Sequence, residues 1–237
     1  MIHMVQLKIR QQKGDPISFD GMTLKAGGWI FTLCGFLAAV LYDGNSMDWF
    51  RAVMTFISYM ALPIFALLTL EGVRHTSNFG KYFLTTVIFA VITEPFYDFA
   101  QFRDWLRVFD ENAQNFLFTV ALCQIMLYYL MAIKPGKNAW LTKVVIILAA
   151  LLWGMMIRSQ YAAFMIVNVL ILYFCDDRKW LSHILVTVYS IFTLFTPCIS
   201  LVLTHRYNGT RGTGNKYFFY VLFPAMWLIG CVIKLFL

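Results

Sequence analysis

Residues 140–175 read WLTKVVIILAALLWGMMIRSQYAAFMIVNVLILYFC, and this stretch decides the fold class. Two apolar runs, Trp140–Met156 and Ser159–Cys175, are separated only by the short turn at Arg158. A helix of about 20 predominantly apolar residues crosses a bilayer. The stretch therefore predicts a tight hairpin of two membrane helices, the second of which is short for a full crossing.

The rest of the chain repeats this pattern. Hydrophobic residues make up 60% of the 237 residues and charged residues 13%, whereas soluble domains average about 45–50% and about 25%. Eight apolar segments can be marked, at Leu24–Tyr42, Trp49–Leu70, Tyr82–Ala100, Asn115–Ile133, Trp140–Met156, Ser159–Cys175, Trp180–Leu203 and Tyr217–Phe236. We expect an all-α fold, a polytopic transmembrane helical bundle of about eight helices. Residues 1–237 would form a single integral membrane domain, with residues 1–21 as a polar cytoplasmic arm.

Positive charge predicts the orientation of the bundle. If all eight segments cross, Lys and Arg number about twelve on the side of the N-terminus and about seven on the other, and cytoplasmic loops carry the excess. Both termini are therefore expected in the cytoplasm. The net charge of +7 accompanies no groove-reading motif, so we expect contacts with lipid headgroups and no nucleic-acid partner. The five cysteines and four histidines show no metal-ligand spacing, so we expect no metal site.

Four prolines lie within the apolar segments, at positions 63, 95, 197 and 224. A proline inside a helix removes one backbone hydrogen bond, which neighbouring helices or waters must replace in a membrane. The sequence therefore predicts kinks at these four positions.

The third apolar segment contains two carboxylates, Glu94 and Asp98, in TTVIFAVITEPFYDFA at residues 85–100. Residues four apart share one face of a helix, and ionisable groups inside a membrane are costly unless they are paired or functional. One interpretation is a general acid or base pair. The other is that Asp98 lies at the water interface while Glu94 pairs with an arginine such as Arg158.

Further polar residues are expected at the same depth, towards the outer side. Asn115 begins the fourth segment, and Arg158 and Tyr161 lie where the fifth and sixth join. Arg158 either clamps an anionic group or extends to the headgroups. Glu71 and His75, also four apart, end the second segment on the cytoplasmic side, either as a charged helix stop or as the mouth of a site.

The central part of the chain resembles the TraX family, which comprises small bacterial integral membrane proteins best known for N-terminal acetylation of conjugative pilin. The resemblance rests on Leu62-Pro63-Ile64-Phe65-Ala66, Glu71-Gly72, His75-Thr76, Lys81-Tyr82, Thr93-Glu94-Pro95, Asp98 and Asn115 through Thr119, with weaker similarity at Gln160-Tyr161-Ala162, Lys216 through Tyr220 and Phe223-Pro224. It implies a bacterial cytoplasmic membrane enzyme that uses acetyl-CoA to acylate an amine, such as the N-terminus of a pilin or peptide. Glu94 would be the base and Asp98 its partner. Asn115, Arg158 and Tyr161 would bind substrate, and Glu71 and His75 would lie at the cytosolic mouth.

The chain also departs from the family pattern. Gly35-Phe36 stand where the family usually has an Asp-His pair, Gln160 where an acidic residue is common, and Met226 where a histidine is frequent. The alternative function is therefore a catalytically degenerate membrane subunit, which partners another membrane protein through its aromatic-rich surface.

Overall fold

The computed structural model describes residues 18–41, 48–102, 113–193, 196–215 and 217–236. Residues 1–17 of the expected cytoplasmic arm lie outside this part of the chain. The described helices are α1 (Gly21–Val40), α2 (Asp48–Ser58), α3 (Ala61–His75), α4 (Phe79–Phe102), α5 (Phe116–Ala132), α6 (Ala139–Met156), α7 (Ala162–Phe174), α8 (Lys179–Tyr189), α9 (Thr196–His205) and α10 (Phe218–Phe236), with a 3-10 turn at Ser190–Thr193 between α8 and α9. The all-α prediction is confirmed.

Two helices begin at side chains that cap them. The Thr23 backbone N–H donates to Asp20 Oδ1 at 2.7 Å, and this hydrogen bond lowers the pKa of the Asp20 carboxyl. At the start of α5 the Leu117 N–H donates to Asn115 Oδ1 at 3.0 Å. An Asp or Asn in this position satisfies a backbone donor that the first helical turn leaves without a partner.

Five described helical stretches are long and apolar enough to cross a membrane: Gly21–Val40, Asp48–His75, Phe79–Phe102, Ala139–Met156 and Phe218–Phe236. α6 exposes much of its apolar surface, including Leu148, Leu152 and Trp153, as expected of a helix that faces lipid. α5, with 17 residues, is about 25 Å long and is buried on most sides. Because other helices surround it, α5 can be shorter than the bilayer is thick.

The described residues show an interruption of the helix at one of the four prolines, Pro63. α2 and α3 are interrupted at Tyr59–Met60, four residues before Pro63, where the proline ring would collide with the preceding turn. Pro197 lies in the first turn of α9, a position that tolerates proline because its N–H is not needed there. Pro95 and Pro224 lie inside the uninterrupted helices α4 and α10.

The seventh apolar segment differs from its prediction, because it does not form one straight helix. The rings of His183 in α8 and His205 in α9 lie 5.1 Å apart, whereas a continuous helix of this length would separate them by about 33 Å. The chain therefore turns back after α8. This hairpin enters the bundle and returns to the end from which it started.

The return of the hairpin reverses the expected direction of α10. Phe19 N–H donates to Arg206 O at 2.9 Å and Gly21 N–H to Thr210 O at 2.8 Å, so residues 206–210 lie beside the start of α1. Aromatic contacts then follow in the same order along both helices, from Trp29–Phe219 to Phe36–Trp227. α10 thus runs parallel to α1.

α10 also runs parallel to α4. The hydroxyls of Tyr220 and Thr86 are 3.3 Å apart near the start of both helices, and Cys231 Sγ lies 3.1 Å from Phe96 O further along. The described residues therefore place position 20 and position 236 at opposite ends of the bundle. The expectation that both termini are cytoplasmic depended on an even number of crossings; the termini themselves, residues 1–17 and 237, lie outside the described part of the chain.

The hairpin also changes the distribution of charge. Among the described residues, the end that contains the start of α1, here called the basic end, carries Lys25, Arg74, Lys81, Lys134, Lys137, Lys143, Arg178, Arg206 and Arg211. Towards the opposite end lie Arg51, Arg158 and Lys234. If all eight segments crossed the membrane, Arg206 and Arg211 would lie on the side opposite the N-terminus. Their position strengthens the prediction that the basic end faces the cytoplasm.

We expect a cysteine at Thr213 and one at Ser77 to react with an impermeant maleimide from the same side of the membrane, in a variant that lacks the five native cysteines. A cysteine at Trp49 should react from the other side. Labelling of intact and permeabilised cells measures this. Reaction of Thr213→Cys together with Trp49→Cys would contradict the parallel direction of α10.

Candidate functional site

Glu94 and Asn115 form the centre of a polar cluster buried between α4 and α5. The backbone N–H of Asn115 donates to Glu94 Oε2 at 3.2 Å, and Asn115 Nδ2 donates to the same oxygen and, at 2.8 Å, to Ala90 O. Glu94 Oε1 has no hydrogen-bond partner among the described residues. Asp98, one turn further along α4, is fully buried. The predicted meeting of these residues at one depth is confirmed.

The turn between α6 and α7 closes over the start of α5. Gln114 N–H donates to Arg158 O at 3.3 Å, and Gln160 N–H donates to Gln114 O at 2.9 Å. Thr119 Oγ1 donates to Gln160 O at 2.7 Å and contacts the hydroxyl of Ser159. These bonds hold the α6–α7 turn at the same level as Asn115.

Two non-glycine residues of this turn have left-handed backbone conformations, Arg158 with φ 48° and Tyr161 with φ 59°. Such conformations each cost roughly 1–3 kcal/mol and occur where the surrounding structure requires them. Tyr161 points between α2 and α5, where its hydroxyl lies 3.4 Å from Ser58 Oγ and its ring packs against Phe116. The strained turn thus places an aromatic hydroxyl inside the bundle, whereas the Arg158 residue is exposed.

A cavity of about 610 Å³ opens at the basic end. Its lining includes Lys25, Trp29, Thr32, Glu71, His75, Lys81, Tyr82, Phe116, Arg211, Tyr217 and Phe223. Glu71 is buried, and its Oε2 lies 3.2 Å from Nε2 of the exposed His75. Arg74 lies 3.6 Å from Glu71 Oε1 and 3.0 Å from Asp176 on the neighbouring α7–α8 turn. Glu71 and His75 therefore lie in the wall of the cavity at the end of α3, an arrangement that is compatible with both of their interpretations.

A second, much smaller space of about 30 Å³, here called the inner chamber, lies deeper in the bundle. It is lined by Thr32, Gly35, Phe36, Ser58, Ala61, Leu62, Phe116, Gln160, Tyr161, Phe223 and Trp227. Thr32, Phe116 and Phe223 line both spaces. The two spaces are therefore neighbours that share these three side chains as part of their walls.

Two of the three departures from the TraX pattern lie in the wall of this chamber. Gly35, Phe36 and Gln160 line it, and Met226 precedes the lining residue Trp227. The positions where ionisable residues were expected are thus close together in space, and in this chain they carry neutral side chains.

The predicted site residues fall into three places. Tyr161 lines the inner chamber, Glu71 and His75 line the large cavity, and Glu94 and Asp98 are lined up on α4 outside both spaces. Sequence reasoning missed Lys25, Lys81, Arg211, Ser58 and Trp227. Lys25 could have been identified from the sequence, because it lies within the first apolar segment and ionisable residues in membrane segments mark functional sites.

These features define a polytopic helical membrane protein with a large cavity at its basic end and a polar cluster near its middle. The family described as TraX protein matches residues 37–234, and the chain therefore belongs to the TraX family. It is also similar to the probable fimbrial assembly protein FimC, serogroup H1, of Dichelobacter nodosus, with 25% identity over 229 residues that cover 83% of this chain and 88% of that protein. No solved structure matches it.

We expect Asn115→Ala to lower the free energy of unfolding by about 2–4 kcal/mol, because it removes a helix cap and leaves a buried carboxyl group without its donor. Thermal unfolding in detergent measures the change. Asn138→Ala is the matched control, since Asn138 precedes α6 without a side-chain capping bond and should change the free energy by less than about 0.5 kcal/mol. Equal effects of the two variants would contradict the role of Asn115.

Proposed function

We propose that this protein is a pilus-related membrane N-acyltransferase, which transfers an acetyl group from acetyl-CoA to the N-terminal amine of a pilin-like peptide. The cavity of about 610 Å³ at the basic end is the observation that carries the proposal. Membership of the TraX family and the similarity to a fimbrial assembly protein support the pilus relation. The proposed location is the bacterial cytoplasmic membrane, with the basic end towards the cytosol.

The residues of the large cavity fit coenzyme A. The volume of the cavity falls in the usual range for small-molecule sites, roughly 300–1,000 Å³. Lys25, Lys81 and Arg211 provide cations for phosphate groups at the mouth, and charge-assisted bonds of this kind are among the stronger hydrogen bonds in proteins. Further in, Trp29, Phe116 and other apolar side chains suit an uncharged arm. Bound acetyl-CoA supplies an acyl carbon that an amine can attack.

The polar cluster supplies the groups that acyl transfer to an amine needs. When the amine nitrogen bonds to the acyl carbon and the carbon–sulfur bond breaks, the nitrogen must release a proton to a base. Glu94 is the proposed base, because its Oε1 has no partner among the described residues and Asn115 holds Oε2 in place. Since Glu94 lines neither space, this role requires the amine to approach from the side of the α6–α7 turn. Asp98 adds a second carboxyl on the same face of α4. Arg158, on the exposed turn above, would contact the acceptor.

The neutral lining of the inner chamber favours a second candidate. No side chain at the chamber positions Gly35, Phe36 and Gln160 can take up a proton at neutral pH. A catalytically degenerate subunit would keep the cavity, would bind coenzyme A without transfer, and would act through another membrane protein.

One experiment separates the two candidates. Purified protein in detergent is incubated with radiolabelled acetyl-CoA and pilin-like peptides, and the peptide N-terminus is analysed by mass spectrometry. Acetylated peptide that disappears with Glu94→Gln supports the enzyme. Binding of acetyl-CoA without transfer to any peptide supports the degenerate subunit, which predicts a stoichiometric membrane protein that co-purifies under mild solubilisation. Absence of both binding and transfer would end the acyltransferase proposal.

We expect Lys81→Gln and Arg211→Gln each to weaken coenzyme A binding about tenfold, which corresponds to about 1.4 kcal/mol. The physical reason is loss of a cation that contacts phosphate at the mouth. Equilibrium binding in detergent at low salt is the measurement. Lys137→Gln removes the same charge from the α5–α6 loop, away from the cavity, and should leave the affinity unchanged; an equal loss there would point to nonspecific attraction.

A further inference from the structure

Trp227 carries a buried hydrogen-bond donor that no described group accepts. Its exposed fraction is 3%, and its Nε1–H has no hydrogen-bond partner among the described residues. The indole ring is held by edge contacts with Phe36 and Tyr97, at centroid distances of 5.4 and 4.8 Å. A buried N–H without an acceptor costs roughly 1–3 kcal/mol. Trp227 lines the inner chamber, so a ligand there could provide the missing acceptor.

The inner chamber is small and uncharged. A volume of about 30 Å³ holds about two water-sized groups, so it excludes a long acyl chain. Ser58 and Tyr161 place two hydroxyls 3.4 Å apart on another wall, and apolar groups such as Ala61 and Leu62 complete the lining. A carbonyl with one methyl group matches this space in both size and polarity.

One face of α1 lines both the inner chamber and the opening of the large cavity at the basic end, here called the basic mouth. Lys25, Trp29 and Thr32 line the large cavity, and Thr32, Gly35 and Phe36 line the inner chamber. Spacings of three and four residues place all of them along one side of the helix. From Lys25 to Gly35 this face rises about 15 Å. A ligand with an anionic head and a long arm can therefore reach from the mouth to the chamber.

We propose that the inner chamber binds the acyl group of the acyl-CoA thioester, and that the Trp227 Nε1–H donates a hydrogen bond to its carbonyl oxygen. This inference rests on the proposed function. Gly35 allows α1 to approach α2 in the chamber wall, since a Cβ at this position would lie 2.9 Å from Ser58 Cβ, and a larger residue would displace the Ser58 side of the chamber. The chamber thus distinguishes acetyl-CoA from free coenzyme A and from longer acyl thioesters, whereas the basic mouth binds all of them alike.

Equilibrium binding of coenzyme A, acetyl-CoA and butyryl-CoA to the purified full chain tests the proposal without any turnover. For the wild type we expect acetyl-CoA to bind about tenfold more tightly than coenzyme A, and butyryl-CoA no more tightly than coenzyme A. Trp227→Phe, which keeps the ring and removes the N–H, should reduce the acetyl preference several-fold. Gly35→Ala should abolish it. Both variants should keep the wild-type affinity for coenzyme A itself.

Trp153→Phe is the matched control, because Trp153 lies on the exposed face of α6. The acetyl preference of this variant should equal that of the wild type. Thermal unfolding of each variant shows whether it is folded. Retained coenzyme A binding shows that the cations at the mouth of the large cavity still bind phosphate. Equal affinities of the wild type for coenzyme A and acetyl-CoA would overturn the chamber assignment while the coenzyme A site stands. An unchanged acetyl preference in both Trp227→Phe and Gly35→Ala would also overturn it. Absence of any coenzyme A binding would overturn the proposed function and this inference with it.

Discussion

A single amide side chain, that of Asn115, fixes the middle of the bundle. Its oxygen accepts the hydrogen bond that begins α5, and its nitrogen donates to α4 at Ala90 and Glu94. In hydrocarbon there is no water to replace such bonds, so the start of α5 cannot slide along α4. Phe116, the next residue, is thereby held in the wall shared by the large cavity and the inner chamber. The bonds of Asn115 therefore help to hold one part of the wall between the two spaces.

The class of fold could be predicted from the sequence because lipid imposes a strong constraint on composition and segment length. The described residues of each of the eight apolar segments are mainly helical, and Glu94 and Asn115 meet as their shared depth predicted. The direction of the seventh segment could not be predicted. Hydropathy measures how apolar a segment is, but not whether the segment crosses the bundle or turns back to the end where it began. The contact that reveals the turn, between His183 and His205, joins residues far apart in the sequence. Every expectation that depended on an even number of crossings changed with it.

The candidate site was predictable where one helix supplies its residues and not where several do. Glu71 and His75 are four apart on α3. Tyr161 lies in the turn between two apolar segments that are adjacent in the sequence. Arg211 joins Lys25 and Lys81 only because the α8–α9 hairpin brings residues 206–211 back to the start of α1. Trp227 could not be identified from sequence, since an apolar segment gives no sign of whether an indole N–H has an acceptor.

The basic mouth has a consequence for the bilayer itself. Lys81 and Arg211 are exposed near the ends of helices, at the level where lipid headgroups lie, and anionic lipids attract such cations with about 1 kcal/mol per charge. Lipid phosphates and the coenzyme A proposed for the cavity would therefore compete for the same side chains. In a bilayer rich in anionic lipid, coenzyme A would have to displace headgroups before it enters, so membrane composition would set the effective affinity of the cavity.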